Sequence, residues 1–243
     1  MSGSKSALLI GATGQVGRRL LQQLLSCSEF CRVGEYGRNV TPMDRITVGK
    51  EKLEQKVIDF DNLKRSEWKD QSWDVIFVTL GTKRAKAGSA SAFEKIDREY
   101  VLNAAKAALS EDPSHKQRIV YCSAMLANSQ SAMLYTRSKG LTEEGLASLG
   151  YSDTITIRPT FLKGATREEW KLGETIGGYV MGFLSRFSEN MEIELSLLAK
   201  SMIIAGVAGS LALPAAAEAI RVGPPDASYT VITNRGAIHL AKA

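Results

Sequence analysis

The sequence predicts an α/β fold: a doubly wound parallel sheet followed by a small C-terminal lobe. Three observations carry that expectation. Short apolar, β-branched runs alternate with amphipathic helical stretches over the first two thirds of the chain. A glycine-rich turn joins the first such pair, and no linker, repeat or low-complexity segment divides the 243 residues. Strands alternating with helices give parallel neighbours joined by right-handed crossovers. One domain over 1–243 is the simplest organisation, with 160–215 building most of the lobe.

Each element follows from local pattern. ALLIG (7–11) reads as a short buried strand, and 15–25 as a helix with Val16, Leu20, Leu21, Leu24 and Leu25 on its apolar side. RVGEYGR (32–38) reads as a second strand, KVIDF (56–60) as a third and DVIFVTLG (74–81) as a fourth. Residues 92–109 read as a helix, RIVYCSA (118–124) as a fifth strand, 134–149 as a helix and TITIRP (154–159) as a sixth strand. The stretch 160–213 reads as mostly helical, and YTVITN, starting at Tyr229, as a last strand.

The chain is 44% hydrophobic and 23% charged, an ordinary globular balance that buries a core without staples. Its formal charge of +5 is spread along the chain and comes with no nucleic-acid motif. A phosphate-rich small ligand is therefore expected rather than nucleic acid. Three cysteines, Cys27, Cys31 and Cys122, with no secretory signal, point to a reducing compartment. Cys27 and Cys31 are four apart, a spacing that could share a helical face. With only His115 and His239 elsewhere, no zinc set is spelled out, so buried free thiols and no metal are expected. The apolar stretch 195–220 is interrupted by Lys200 and Pro214 and falls short of a span. It reads as a buried or dimer-facing helix, with peripheral membrane contact left open.

In IGATGQVGRRLL, Gly11, Gly14 and Gly17 stand three apart, straight after a strand and opening a helix. The turn must be sharp, the backbone must approach a pyrophosphate, and helix must pack on strand, which is the Rossmann pattern. Thr13, Gln15 and Val16 belong to the same phosphate cradle. Arg38 ends the second strand where a ribose-reading acid commonly stands, so NADP(H) is expected over NAD, with Arg18 and Arg19 adding charge. Asp59 and Phe60 are placed to meet the adenine, although a helix cap suits Asp59 equally. Leu80, Gly81 and Thr82 fall where ribose and phosphates would pass.

YTRSK puts Tyr135 and Lys139 one helical turn apart. An ammonium beside a phenol favours phenolate, so Lys139 is expected to lower the Tyr135 pKa into a useful range. Ser123 lies at the end of the fifth strand, placed to hold the same substrate oxygen. The thiol of Cys122 next to it reads as structural rather than redox-active.

With the glycine turn, the serine and the Tyr-x3-Lys pair in this order, the chain resembles the short-chain dehydrogenase/reductase superfamily. GATGQVGRRLL, VIDFDNL, LGTKRAKAG, DREYVLNAAKAA and NRGAIHLA resemble, more narrowly, the family of the animal Tat-interacting oxidoreductase-like protein and its fungal mitochondrial homologues. That resemblance spans nearly the whole chain. It implies NADPH binding, with Gly11, Gly14 and Gly17 at the turn and Arg38 at the 2′-phosphate. It also implies a catalytic Ser123, Tyr135 and Lys139. Asn103 resembles a relay asparagine of the superfamily, and Pro159, Thr160 and Phe161 would meet the nicotinamide carboxamide. The mitochondrial outer membrane, on its cytoplasmic face, is the implied location.

Two functions follow as expectations. The first is an NADPH-dependent reductase of a small apolar carbonyl compound, with Tyr135 as proton donor and an apolar lining from Trp170, Tyr179, Met181, Phe183 and Phe187. The second is an NADPH-binding redox sensor or scaffold with little turnover. Arg167 and Arg186 assemble no visible anion clamp.

Overall fold

A computed structural model describes residues 5–64, 68, 72–82, 84–164 and 192–243. Strand β1 (Lys5–Ile10) leads into α1 (Gln15–Ser26), then β2 (Phe30–Gly37), β3 (Leu53–Val57) and β4 (Val75–Val78). The short α2 (Arg84–Ala87) precedes α3 (Ala90–Glu94), a wide π-helical turn (Lys95–Glu99) and α4 (Tyr100–Ala108). Next come β5 (Arg118–Cys122), α5 (Leu134–Ala147), β6 (Asp153–Arg158) and β7 (Phe161–Lys163). The chain continues with β8 (Glu192–Glu194), α6 (Leu195–Ala208), β9 (Ile220–Val222), β10 (Tyr229–Thr233) and α7 (Asn234–Lys242).

Among the described residues eight strands form one sheet in the order β3-β2-β1-β4-β5-β6-β10-β9, parallel except for β9. The doubly wound expectation is met. Alternate residues along β1 feed opposite cores: Ala7 and Leu9 pack with α1, α6 and α7, and Leu8 and Ile10 with α4. Strand order reverses between β1 and β4, so the crevice beyond their carboxyl ends is where such sheets bind ligands.

Several expectations are corrected. β3 ends at Val57, three residues before Phe60, because the ladder with β2 runs from Val33↔Leu53 to Gly37↔Val57. The stretch expected as mostly helical opens with β7, which pairs with β8. The 195–220 stretch is not one helix: α6 stops at Ala208, where Gly209 takes φ +75°. The α6 part is buried, as expected. Arg118 donates to the Gly206 and Val207 carbonyls at its end (3.1 and 2.8 Å). Cys27 caps α1 while Cys31 lies on β2 and is exposed, so these thiols share no helix face and are not both buried. Among the described residues no group of side chains could hold a metal ion.

Helix α5 is tied to the sheet by a buried clamp. Glu143 is fully buried, and Arg158 on β6 donates to both its oxygens, at 3.0 and 2.5 Å. Tyr229 on β10 donates to the same carboxylate at 3.3 Å. Removing one partner strands the other's charge out of water. Glu143→Ala should cost about 2–4 kcal/mol in urea denaturation, the lower end reflecting the partial exposure of Arg158. A loss below about 1 kcal/mol, the size of an exposed pair, would mean the clamp is incidental.

Candidate active site

Gly11 leaves β1 at φ +99°, and a Cβ there would lie 2.6 Å from the Leu80 nitrogen beyond β4. A Cβ on Gly17 would lie 2.1 Å from the Gly11 carbonyl oxygen. These two glycines let β1, α1 and the end of β4 converge at the switch point. Gly14 is the N-cap of α1 with no side-chain cap, and no acidic residue stands in the first turn. The positive end of the helix dipole therefore meets no carboxylate of its own, which fits a pyrophosphate. Thr13 and Gly14 are exposed on this rim, Gln15 is half-buried and Val16 is buried.

Arg38 stands exposed immediately after β2. Glu35, three residues earlier, is buried and its carboxylate accepts from the Thr41 N–H and hydroxyl and from Gln55 Nε2, each at 2.7 Å. The acid that could have read a ribose hydroxyl is turned inward to hold the following loop. Beside the turn, Arg18 donates to the Thr13 carbonyl (3.0 Å) and shares a cleft of about 270 Å³ with Arg45 and Thr41.

Asp59 lies exposed beyond β3, accepting from the Asp61 N–H (2.9 Å) and Asn62 Nδ2 (2.8 Å). Its carboxylate braces a turn rather than a helix start, and those bonds lower its pKa. Phe60 is buried and stacks on Tyr100 at 5.1 Å. Leu80, Gly81 and Thr82 follow β4 at the crevice; Pro159 accepts from the Met125 N–H, and Thr160 donates to Asn234. Phe161 opens β7. Trp170, Tyr179, Met181, Phe183, Phe187, Arg167 and Arg186 lie outside the described residues.

Ser123 continues β5, its N–H bonded to the Ile157 carbonyl at 2.8 Å. Its side chain is buried and its hydroxyl finds no hydrogen-bond partner among the described residues. Strand alternation puts it on the face of Tyr121, two residues earlier. The Tyr121 hydroxyl accepts from Lys139 Nζ at 2.8 Å. Lys139 is 4% exposed and stands one turn after Tyr135 on α5, with Nζ 5.9 Å from the Tyr135 ring centre. A Cβ on Gly140 would lie 2.2 Å from the Ser129 nitrogen, so its absence lets α5 close on the segment after β5.

The surprise is Asp97. This carboxylate is fully buried in the π-helical turn, 3.2 Å from Lys139 Nζ. It also accepts from the Thr82 N–H and the Ser138 hydroxyl, each at 3.4 Å. Gly81 leaves the approach open, since a Cβ there would stand 3.1 Å from Asp97 Oδ1 and 3.4 Å from Lys139 Nζ. Asn103 is exposed on α4.

The electrostatics follow. Burial pulls the Lys139 pKa down, but Asp97, Tyr121 and Tyr135 outweigh it and hold the ammonium well above the ordinary lysine value. Burial raises the Tyr135 phenol, Lys139 opposes that, and Asp97 and Cys122 reinforce it. Lys139 thus acts on Tyr135 in the expected direction, against Asp97 and the partial burial of a residue that keeps 36% of its surface exposed. Burial likewise pushes the half-buried Cys122 thiol up to about 11, keeping it protonated as a structural residue.

Known proteins share this chain's pattern. It is 32% identical over 187 residues to the mitochondrial protein FMP52 of Candida albicans, covering 73% of this chain and 77% of that one. It is also 32% identical over 181 residues to the protein HTATIP2 of Rattus norvegicus, covering 74% and 72%. The chain belongs to the FMP52/HTATIP2 family. No family model matches it. In three dimensions it resembles the reductase domain of PhqB from Penicillium fellutanum, with a TM-score of 0.61 at 18% identity. That likeness covers 85% of this chain but 65% of the reductase domain, less than two thirds, and shows the short-chain dehydrogenase-type fold.

A thiol raised from 9.0 to about 11 has a roughly hundredfold smaller thiolate fraction at neutral pH. Iodoacetamide at pH 7.5, followed by peptide mass spectrometry, should therefore modify exposed Cys31 first and Cys122 last. Early labelling of Cys122 would revive a reactive role for it.

Proposed function

We propose that this member of the FMP52/HTATIP2 family is an NADPH-dependent reductase of small, apolar carbonyl compounds. The observation that carries the reading is the buried, unpartnered Ser123 hydroxyl on the face that holds Lys139, with Tyr135 one turn before that lysine. A buried hydroxyl without a partner is costly unless a ligand atom completes it, and a carbonyl oxygen does so.

The cradle of Gly11 to Gly17 would hold the pyrophosphate, and Arg38 the 2′-phosphate, by a guanidinium fork that suits a dianion. When bound, the reduced nicotinamide supplies a hydride to the carbonyl carbon. Ser123 donates a hydrogen bond to the carbonyl oxygen and orients it, and Tyr135 passes its phenolic proton to that oxygen as the alcohol forms. Lys139 remains an ammonium throughout. Tyr135 is 36% exposed, so water can return its proton without a relay. Leu126 and Met133, in the loop between Ser123 and Tyr135, are about half exposed (49% and 48%) and offer apolar surface to the substrate.

The FMP52 relatives are named mitochondrial, and we extend that location to this chain. Among the described residues no helix is long and apolar enough to cross a membrane. We assign any contact with the outer membrane to the segment after α6, where Leu211 is 99% and Ile220 56% exposed.

NADPH oxidation across a panel of aldehydes, ketones and quinones tests the reading, with Tyr135→Phe alongside. Turnover should fall by about a hundredfold or more in the mutant with NADPH binding intact. Binding without any turnover in the unaltered protein would favour a redox sensor instead. Arg38→Ala should weaken NADPH about tenfold or more while sparing NADH, measured by nucleotide fluorescence, as loss of a charge-assisted fork implies. Equal losses for the two nucleotides would remove Arg38 from the 2′-phosphate.

A further inference from the structure

The buried partner of Lys139 bears on the protonation state of Tyr135. A lysine one turn from a tyrosine ordinarily draws out its proton, because the ammonium stabilises the phenolate. Here Asp97 stands 3.2 Å from that ammonium, with both groups almost wholly out of water, 5% and 0% exposed at the side chain. In a low-dielectric setting the two charges form a dipole whose field at a third group is much weaker than that of the lysine alone.

The placement of Asp97 is built, not incidental. The π-helical turn Lys95–Glu99 interrupts the run from α3 to α4 at this residue, as such turns often do at functional sites. The Thr82 N–H and the Ser138 hydroxyl orient the carboxylate, and Gly81 clears its path. Through the Thr82 N–H the carboxylate is also tied to the loop after β4, which lines the crevice.

We propose that Asp97 is a positioning residue that cancels the charge of Lys139 and so keeps Tyr135 a neutral phenol, able to give its proton to the substrate oxygen. This rests on the reductase reading above. In the forward direction the carbonyl carbon gains the hydride and its oxygen gains the Tyr135 proton, giving an alcohol and the oxidised nucleotide. The resulting phenolate is reprotonated by water. The same group serves the reverse step, so Asp97 sets the pH range in which Tyr135 holds its proton and leaves the equilibrium of the reaction unchanged. The charged and titratable groups facing Tyr135 are Lys139 from α5, Asp97 from the π-helical turn, and Cys122 from β5, beside Tyr121 on the same strand. Cys122 stays a neutral thiol below its raised value of about 11, leaving the lysine and the aspartate to set the field.

The test separates this from the reductase reading by following the phenol directly. In protein carrying ¹³Cζ-tyrosine and no nucleotide, the Tyr135 resonance is assigned with Tyr135→Phe and followed against pH by NMR. Asp97→Asn keeps the shape and the acceptor for Thr82 while removing the charge. It should lower the Tyr135 midpoint by about one unit or more, as loss of an adjacent opposing charge implies. The high-pH limb of carbonyl reduction should move down by the same amount, because turnover requires the protonated phenol. An unmoved resonance would overturn the proposal whether or not a substrate is found, whereas a shifted resonance without turnover would uphold it and sink the reductase reading alone.

Should Asp97→Asn fail to fold, Asp97→Asn with Lys139→Met removes both charges together. The phenol should then titrate where it does in the unaltered protein. A rise of a unit or more would show that Lys139 was acting uncancelled, and the proposal would fall.

Discussion

The ammonium of Lys139 lies 4% exposed beneath the crevice, and a charge so far from water must be answered within a few ångströms. Much of the site's construction serves that need. Asp97 reaches it from the π-helical turn between α3 and α4, and Tyr121 from β5. Gly81 leaves the room in which they meet. Neither partner can be exchanged without leaving the other stranded, so the helix pair, the strand end and the loop after β4 are bound into one arrangement. Tyr135 sits at the edge of this arrangement, one turn before the lysine.

A second convergence lies along the same crevice. Gly11, Gly17 and the Leu80 backbone approach so closely that no side chain fits between them. That contact joins β1 to the end of β4, and Gly81 and Thr82 follow at once with the lysine pair behind them. The glycine turn and the lysine cluster are therefore consecutive stations along the carboxyl ends of β1, β4 and β5.

Much of this was legible in the residues. The central strands and α1 announce themselves by β-branched runs and by leucines at helical spacing, since burial on both faces or on one stripe leaves a periodic trace. Ser123, Tyr135, Lys139 and the three glycines stand out in the sequence by residue type and spacing, and the fold brings them to the same end of the sheet. β3 was misplaced because VIDF looks more strand-like than LEQKV, whereas pairing with β2 settles the register. Strands β7, β8 and β9 are three residues each and too short to carry a pattern. Asp97 was hidden within KIDRE, which resembles a solvated charge run. One trace of it existed: it falls on the stripe of Phe93, Val101, Ala104 and Ala108, all buried, where an acid has no reason to be unless it has a partner. The rise in the Tyr135 pKa was beyond local pattern, because it depends on what the fold brings to Lys139 from forty residues away.

The clamp on α5 also has a bearing on how the molecule is made. Glu143 is held from β10 by Tyr229, 86 residues later in the chain, and β10 itself pairs with β6. At translation rates of about 5–20 residues per second, that anchor emerges on the order of ten seconds after the helix it secures. During that interval β1, α1 and β2 are already synthesised, but α5 lacks part of its support. The last brace of this helix therefore waits on a single late tyrosine.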